Sequence, residues 1–192
     1  MVHSIARLLC RIFFKLYLRV SVTGKENLPA QGGFIVASNH VSYLDPFLVG
    51  AVCTRKLSYM GRHDLFTPGI ADRLLRAIGA FPVKRDTADL SALREAIRRV
   101  RNGGGLMVFP EGRRIVKKQL VEPEAGIGFL ASKLNVPVIP AFVRGTDRAF
   151  PKGAKFIKPI KVSVHFGSQI HIERGLPYQS IAVKIMEKIR QL

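Results

Sequence analysis

The chain has 192 residues and a mass of 21.3 kDa, which predicts about one domain. Its 47% hydrophobic and 23% charged residues indicate a folded protein, and only two cysteines, Cys10 and Cys53, exclude both a disulfide framework and a cysteine-built zinc site. A net charge of +18, from 31 basic and 13 acidic residues, predicts an anionic partner: nucleic acid, anionic lipid headgroups or a phosphorylated substrate.

The N-terminal segment combines apolar side chains with regularly spaced cations. On a helix, four-residue spacing forms one slanting basic stripe, made here of Arg7, Arg11, Lys15 and Arg19. Charges threaded through the apolar sequence do not fit a secretory signal, and they disfavour crossing of the bilayer. We interpret residues 1–20 as an amphipathic helix in the membrane interface whose stripe binds anionic lipid. The alternative is a core helix with one solvated face. Deleting residues 1–19 is then expected to loosen vesicle association without unfolding the body.

From residue 20 onward, strand-like and helix-like segments alternate. Strands are predicted at 34–38, 57–60, 80–83, 106–109 and 136–143, with a basic strand pair around 160–172. Helices are predicted at 46–52, 69–78, 88–101, 123–134 and 179–191. This alternation predicts an α/β fold with a largely parallel central sheet flanked by helices, and a single domain over residues 21–192.

The helix at 88–101 has the clearest periodicity, which predicts a buried face of Leu90, Leu93, Ile97 and Val100. It is followed by three glycines at 103–105. No Gly-Lys-Ser/Thr follows them and a strand begins there, so we interpret them as a helix-to-strand turn rather than a phosphate loop.

The most informative segment, residues 39–46, directly follows the first of these strands with the sequence Asn-His-Val-Ser-Tyr-Leu-Asp-Pro. A histidine just beyond a strand lies where open α/β sheets bind ligands. Pro46 favours a turn that would bring the Asp45 carboxylate to the His40 ring, fixing its tautomer and leaving the other nitrogen free as a base. The alternative role for Asp45 is that of a helix N-cap.

Three further segments lie at strand ends. The first is 109–114, in which a carboxylate, Glu111, is followed by Gly112 and the paired cations Arg113 and Arg114. Arginine suits a phosphate monoester, although an exposed turn with a local ion pair is the alternative. The second is 79–85, which ends in the cations Lys84 and Arg85; the alternative is that it is only a solvated loop. The third is the apolar run 136–140, whose two prolines suit a strand end or edge near a cleft.

If the strands are parallel, these segments meet at one edge of the sheet. A base with its orienting acid, several arginines and apolar walls would form a site that deprotonates a hydroxyl beside a phosphate. No second histidine has metal-ligand spacing to His40, and no Gly-x-Ser-x-Gly motif is present, so neither a metal site nor a serine hydrolase is favoured.

The four segments also resemble, in order and separation, the motifs of the glycerophospholipid acyltransferase family. Residues 39–45 resemble its His-x4-Asp motif and residues 109–114 its Phe-Pro-Glu-Gly-Thr-Arg motif. Residues 79–85 resemble its Gly…Arg motif and residues 136–140 its Val-Pro-x-x-Pro motif. The resemblance covers roughly residues 20–172 of the chain. Three positions depart from the family pattern and leave the acceptor open: Lys84, Arg113 and Ile115.

The resemblance implies acyl transfer from acyl-CoA or acyl-acyl carrier protein to the free sn-2 hydroxyl of 1-acylglycerol-3-phosphate, giving phosphatidic acid. It makes His40 the general base and Asp45 its orienting partner. The acceptor side would be formed by Asn39, Ser42, Lys84, Arg85, Glu111, Gly112, Arg113 and Arg114. The Gly112 region is the candidate for stabilising the oxyanion. No metal and no cofactor is expected.

The family also implies membrane lipids as partners and a peripheral or monotopic position on the cytoplasmic face of the inner membrane, with no nucleic acid. Two alternatives stay open. One is a member of the same family that acts on a different lysolipid acceptor. The other is a non-catalytic basic protein that binds anionic lipid or nucleic acid through its charge, in which case salt would abolish binding steeply.

Overall fold

The computed structural model describes residues 2–84, 89–115, 121–173 and 175–192. Its helices are α1 (Val2–Leu16), α2 (Asp45–Val52), α3 (Ile70–Ala77), α4 (Leu90–Arg101), α5 (Ala125–Leu134), α6 (Thr146–Ala149) and α7 (Tyr178–Arg190). Its strands are β1 (Ser21–Thr23), β2 (Phe34–Ser38), β3 (Leu57–Arg62), β4 (Ala80–Val83), β5 (Gly105–Val108), β6 (Val138–Arg144) and β7 (Ser163–Phe166). The predicted elements between residues 34 and 143 therefore form, with ends shifted by a few residues.

The strands form one sheet in the order β1-β7-β6-β2-β5-β3-β4. All neighbouring pairs are parallel except β6 and β7, so the predicted largely parallel sheet is confirmed. The predicted basic strand pair at 160–172 is wrong: in the described residues this region holds one strand, β7, and an isolated bridge between Val138 and Ile170. Because β2 to β6 run in the same direction, their carboxyl ends share one edge of the sheet.

Alternate residues of the central strands point to opposite faces of the sheet, and each face has its own core. Phe34 and Val36 pack with α1, α2 and residues 149–164 on one face. Ile35 and Ala37 pack with α4, α5 and α7 on the other. These strands are buried on both faces, as expected for parallel strands covered by helices.

The predicted face of α4 is confirmed in part: Val100 is buried and Leu93 and Ile97 pack against the core, but Leu90 does not. Its fully buried side chains are Ala92, Ala96 and Val100, whereas Leu90 is 59% exposed at its first turn. The periodicity indicated the larger apolar residues and missed Ala92 and Ala96, which are buried on the same helix. After α4, Gly103 adopts a left-handed conformation (φ +81°) and the chain turns into β5, which confirms the predicted helix-to-strand turn.

Helix α1 contributes to the same core as the rest of the chain. Phe14 and the following Leu18 are buried among residues of α2 and β6, and the Leu18 carbonyl accepts a hydrogen bond from the Val162 backbone N–H (3.2 Å). Deleting residues 1–19 would remove these buried side chains from the core, so we now expect the deletion to destabilise the body rather than to leave it intact. The assignment of residues 1–20 to membrane association, separate from a domain at residues 21–192, stays a prediction.

The basic stripe of α1 is partly used within the protein. Arg7 donates a hydrogen bond to the carbonyl of Cys53, and Arg11 donates one to the carbonyl of Ala51 (2.5 Å). Both carbonyls lie at the C-terminal end of α2, where the helix dipole favours cations. The interpretation of the stripe as a lipid-binding row is thus corrected for these two arginines. The exposed surface of α1 instead carries large apolar side chains: Leu8, Leu9, Ile12 and Leu16. Among the described helices, none is both long and apolar enough to span a bilayer.

Candidate active site

The predicted pair of His40 and Asp45 forms at the carboxyl end of β2. Pro46 lies in the first turn of α2, and the chain turns before it, so that Asp45 Oδ2 reaches His40 Nδ1 at 2.9 Å. The same oxygen accepts hydrogen bonds from the backbone N–H groups of Val41 and Ser42, both at 2.7 Å. The carboxylate is fully buried and is held by the loop it closes. Asp45 therefore does more than begin a helix.

The His40 ring is fixed from a second direction by the loop after β5. It stacks on Phe109 with ring centroids 3.9 Å apart, and the His40 carbonyl accepts a hydrogen bond from the Ile115 N–H (2.8 Å). With Nδ1 engaged by Asp45 and the side chain only 13% exposed, Nε2 is the nitrogen left to accept a proton in the cleft that His40 lines. The geometry is that of an oriented general base.

Asn39 and Ser42, expected to bind substrate, are occupied with backbone groups. The Asn39 amide donates to the Val143 carbonyl (2.9 Å) and accepts from the Val143 N–H (2.7 Å), which joins the ends of β2 and β6. The Ser42 hydroxyl donates to the Phe150 carbonyl (2.9 Å) and accepts from the Leu44 N–H (3.3 Å). Both side chains are buried and neither lines the cleft. This geometry corrects their role from substrate contact to shaping of the loop that carries the base.

Thr146 is part of this site, and the sequence analysis missed it. Its hydroxyl, fully buried at the start of α6, donates a 2.6 Å hydrogen bond to Asp45 Oδ1. The carboxylate thus accepts four hydrogen bonds, and the two residues are separated by 101 positions in sequence. Thr146 lies just after the end of β6, the strand beside β2. Because the carboxyl ends of parallel strands meet at one edge of the sheet, this position could have indicated that Thr146 lies near His40.

We expect Thr146→Val to lower kcat about tenfold while leaving KM nearly unchanged, because the variant keeps the shape of the residue but leaves Asp45 Oδ1 without a donor. Thr146→Ser, which restores the hydroxyl, serves as the matched control and should recover most of the rate. Steady-state kinetics of the three proteins check this, and equal kcat values for the valine and serine variants would show that the hydroxyl does not orient the pair.

Glu111 is the second buried carboxyl at this edge. It is 3% exposed, and its Oε2 has no hydrogen-bond partner in the part of the chain that the structure describes. Burial raises its pKa to about 7; the backbone N–H groups of Glu111 and His40 offset part of this effect, and the charge of Asp45 adds a smaller increase. Since it lines the cleft with His40, it provides a carboxyl that is protonated over part of the physiological pH range.

A raised carboxyl pKa has a definite consequence for stability. Between the ordinary value of 4.5 and about 7, the folded protein retains a proton on Glu111 that the unfolded chain has released. The free energy of unfolding therefore falls as the pH rises through this window, by a few kcal/mol at most. Glu111→Gln should remove the effect. We expect the difference in melting temperature between variant and wild type to grow in favour of the variant from pH 4.5 to pH 8. A difference that does not change with pH would exclude the raised pKa.

The cations predicted near the base are placed at the same edge. Lys84, Arg113 and Arg114 all line the cleft, and the Arg114 guanidinium lies over the Tyr43 ring at 3.4 Å from its centroid. Stacking leaves the edge of the guanidinium free to bind an oxyanion. Arg85 lies outside the described residues, so its predicted role stays a prediction.

Gly112 forms the turn that brings these cations to the cleft. Its φ of +65° is in the left-handed region, and a Cβ at this position would lie 2.9 Å from Glu124 Cγ, so glycine is required. Its N–H donates to the Phe109 carbonyl (3.0 Å) and is therefore not free to stabilise an oxyanion. The role of the Gly112 region in stabilising the oxyanion stays a prediction, from which the Gly112 amide itself is removed.

His40, Glu111, Gly112 and the cations line one cleft of about 1890 Å³. The polar residues of its lining include His40, Glu111 and the predicted cations, and the structure adds Arg62 and Lys152, which no sequence motif indicated. Its other walls are largely apolar and include Phe47, Met60, Leu65, Leu75, Ile78, Val83, Met107, Ile127 and Leu130. The described residues contain no group of three or more His, Cys, Asp or Glu side chains placed to hold a metal ion. The site can therefore combine proton abstraction, anion binding and the binding of an alkyl chain.

Comparisons with known proteins show the family of this chain. The family model described as Acyltransferase matches residues 19–144. A 1-acyl-sn-glycerol-3-phosphate acyltransferase from Bacillus subtilis is 28% identical over 84% of this chain and 78% of its own length. A chloroplastic enzyme of the same name from Brassica napus is 26% identical over 85% of the chain, which spans only 49% of that protein.

The fold has a solved counterpart. The crystal structure of the 1-acyl-sn-glycerophosphate acyltransferase from Thermotoga maritima superposes with a TM-score of 0.81 at 25% identity, covering 98% of this chain and 77% of the other. The α/β fold, the ordered motifs and the match of the family model over most of the chain lead to one conclusion: this chain belongs to the acyltransferase family.

Proposed function

We propose that the protein transfers an acyl group from an acyl thioester to the sn-2 hydroxyl of 1-acylglycerol-3-phosphate, giving phosphatidic acid. The observation that carries the proposal is the placement of the His40–Asp45 pair in one cleft with Arg113, Arg114 and a long apolar wall. A lysophosphatidate has the matching parts, a hydroxyl close to a phosphate and an alkyl chain. Two relatives bear the name of this activity.

The reaction follows from the geometry. His40 Nε2 removes the proton of the acceptor hydroxyl as its oxygen forms a bond to the thioester carbonyl carbon, giving a tetrahedral oxyanion. When this intermediate collapses, the carbon–sulfur bond breaks and the imidazolium returns its proton to the departing thiolate. Asp45 stabilises the imidazolium between these steps, and its four hydrogen bonds keep the carboxylate aligned with the ring.

The cations of the cleft bind the acceptor and take no part in proton transfer. Arg114, stacked on Tyr43, and the neighbouring Arg113 are suited to the acceptor phosphate because a guanidinium binds two phosphate oxygens at once. The thioester donor is acyl-CoA or acyl-acyl carrier protein. Transfer between a thioester and an alcohol requires no redox step, and the proposed mechanism includes no metal or cofactor.

We place the protein at the cytoplasmic face of the membrane, with the exposed apolar side of α1 in the interface. Lys15 and Arg19 are exposed near its end, where they can reach lipid phosphates. A lipid substrate and a lipid product need not then leave the bilayer fully.

The exposed leucines of α1 allow its membrane contact to be tested without changing a buried residue. Leu9→Ser with Leu16→Ser is expected to weaken binding to anionic vesicles roughly tenfold or more, since two apolar contacts with the interface are lost. Co-sedimentation with vesicles measures this, and the same change at Val183, an exposed residue of α7 on the opposite face of the sheet, is the control. Unchanged affinity of the double variant would remove α1 from the membrane contact.

The activity itself is tested with an acceptor panel. The purified protein is given each of two donors, acyl-CoA and acyl-acyl carrier protein, with lysophosphatidate, lysophosphatidylglycerol or an amino-acid lipid, and the lipid products are identified by mass spectrometry. We expect phosphatidic acid as the main product. Transfer only to another lysolipid would keep the reaction and replace the acceptor, whereas no transfer with either donor would overturn the proposal.

A further inference from the structure

The segment between α6 and β7, residues 151–161, combines a high positive charge with one protruding aromatic side chain. We call it the lysine loop. Its lysines, all exposed, are Lys152, Lys155, Lys158 and Lys161. No acidic residue occurs in the sequence from Arg148 to Ile172. At its centre Phe156 is 81% exposed, although it is one of the most hydrophobic residue types.

The exposure of Phe156 is built into an ordered loop. The Lys158 N–H donates to the Ala149 carbonyl (2.8 Å), and the Ala154 N–H donates to the Pro151 carbonyl (3.1 Å). On the inner side of the loop, Ile157 and Ile160 pack against the core below α1. The loop therefore buries its isoleucines and directs Phe156 outward between lysines.

The lysine loop is continuous with two other surfaces. The Tyr17 hydroxyl, just after α1, donates to the Ile157 carbonyl (2.8 Å), and Arg19 donates to the Pro159 carbonyl (3.4 Å). These bonds join the loop to the helix whose outer side is apolar. At its other end, Lys152 lines the cleft that contains His40. The loop thus extends from the mouth of the cleft to α1.

We propose that the lysine loop is a second contact with anionic lipid bilayers, in which Phe156 enters the boundary between headgroups and acyl chains while Lys155, Lys158 and Lys161 bind lipid phosphates. A protruding aromatic ring in a loop with four exposed lysines and no acidic residue matches a surface that is anionic outside and apolar beneath. An acidic protein would match the lysines but would not explain the apolar ring between them. This inference rests on the proposed function. A membrane contact at the lysine loop would hold the mouth of the cleft against the bilayer that supplies the lipid acceptor.

The sequence contains no tryptophan, so Phe156→Trp introduces a single fluorescent reporter at the proposed contact. With vesicles containing phosphatidylglycerol, we expect its emission to shift to the blue and to be quenched by bromine-labelled acyl chains. Val183→Trp, on α7 at the opposite face, is the matched control and should show neither effect. An unchanged Phe156→Trp spectrum with the protein bound to vesicles overturns the proposal, and so does a shift seen only on adding acyl carrier protein.

Charge is tested separately. The triple variant Lys155→Gln, Lys158→Gln, Lys161→Gln is expected to bind anionic vesicles roughly 100-fold more weakly at low salt. Lys133→Gln, Lys184→Gln, Lys188→Gln removes the same charge from α5 and α7 and should lose far less. Equal losses in the two triple variants would show that only net charge matters. Phe156→Ala, with an expected loss of affinity, replaces the tryptophan variant if that variant does not fold.

The outcome is separable from that of the proposed function, because acyl transfer can be assayed in detergent micelles without a bilayer. Turnover in micelles with no response of Phe156→Trp to vesicles rejects the loop and keeps the activity. A clear response to vesicles from a protein that acylates none of the acceptors keeps the loop and rejects the activity.

Discussion

His40→Ala is expected to lower kcat/KM for acyl transfer to lysophosphatidate by about 10³-fold, within the range typical of general acid–base catalysis. The variant loses the only group of the described cleft that is oriented by a buried carboxylate to accept a proton from the acceptor hydroxyl. The assay is product formation in detergent micelles at saturating thioester, with lysophosphatidate concentration varied.

The control for this variant is His171→Ala, which removes an exposed imidazole that does not line the cleft. It should retain the full rate. Vesicle binding should be the same for both variants, because neither histidine belongs to α1 or to the lysine loop. Retention of most of the rate by His40→Ala would reject the assigned base. An absence of acyl transfer by the wild type itself would instead favour a protein that binds anionic lipid through its charge without turning it over.

Much of this fold could be predicted because its elements carry local signals. Buried parallel strands are short apolar runs, and β2 and β4 begin and end where the sequence indicated. The order of the strands in the sheet has no such signal. The segment after residue 160 shows the limit, since basic residues between apolar ones predicted two strands, whereas pairing with β6 produced one strand and a bridge.

The site was predictable to the extent that it depends on one rule, that parallel strands bring their carboxyl ends to one edge. That rule placed His40 and Glu111 together. It could not assign partners to polar atoms, so Asn39 was predicted to bind substrate although both the nitrogen and the oxygen of its amide bond the Val143 backbone. Likewise, Arg11 was assigned to lipid because no local pattern shows that the end of α2 lies beside it.

Asp45→Asn is the variant that separates the charge of the site from its shape. Its oxygen can still accept hydrogen bonds from Val41, Ser42 and His40, and its amide can donate to the Thr146 hydroxyl, which is free to rotate and accept. The loop should therefore keep its conformation. The buried negative charge that stabilises the imidazolium is lost, and we expect kcat to fall by about 10²- to 10⁴-fold.

Thermal unfolding distinguishes this from a structural defect. Asp45→Asn should melt close to the wild type, whereas Asp45→Ala leaves four buried donors without an acceptor, at about 1–3 kcal/mol for each group left unsatisfied, and should unfold at a much lower temperature. Combining Asp45→Asn with Thr146→Val should cost little more activity than Asp45→Asn alone, because the threonine acts only through the carboxylate. A fully active Asp45→Asn protein would mean that His40 works without an anionic partner, and the paired mechanism would have to be abandoned.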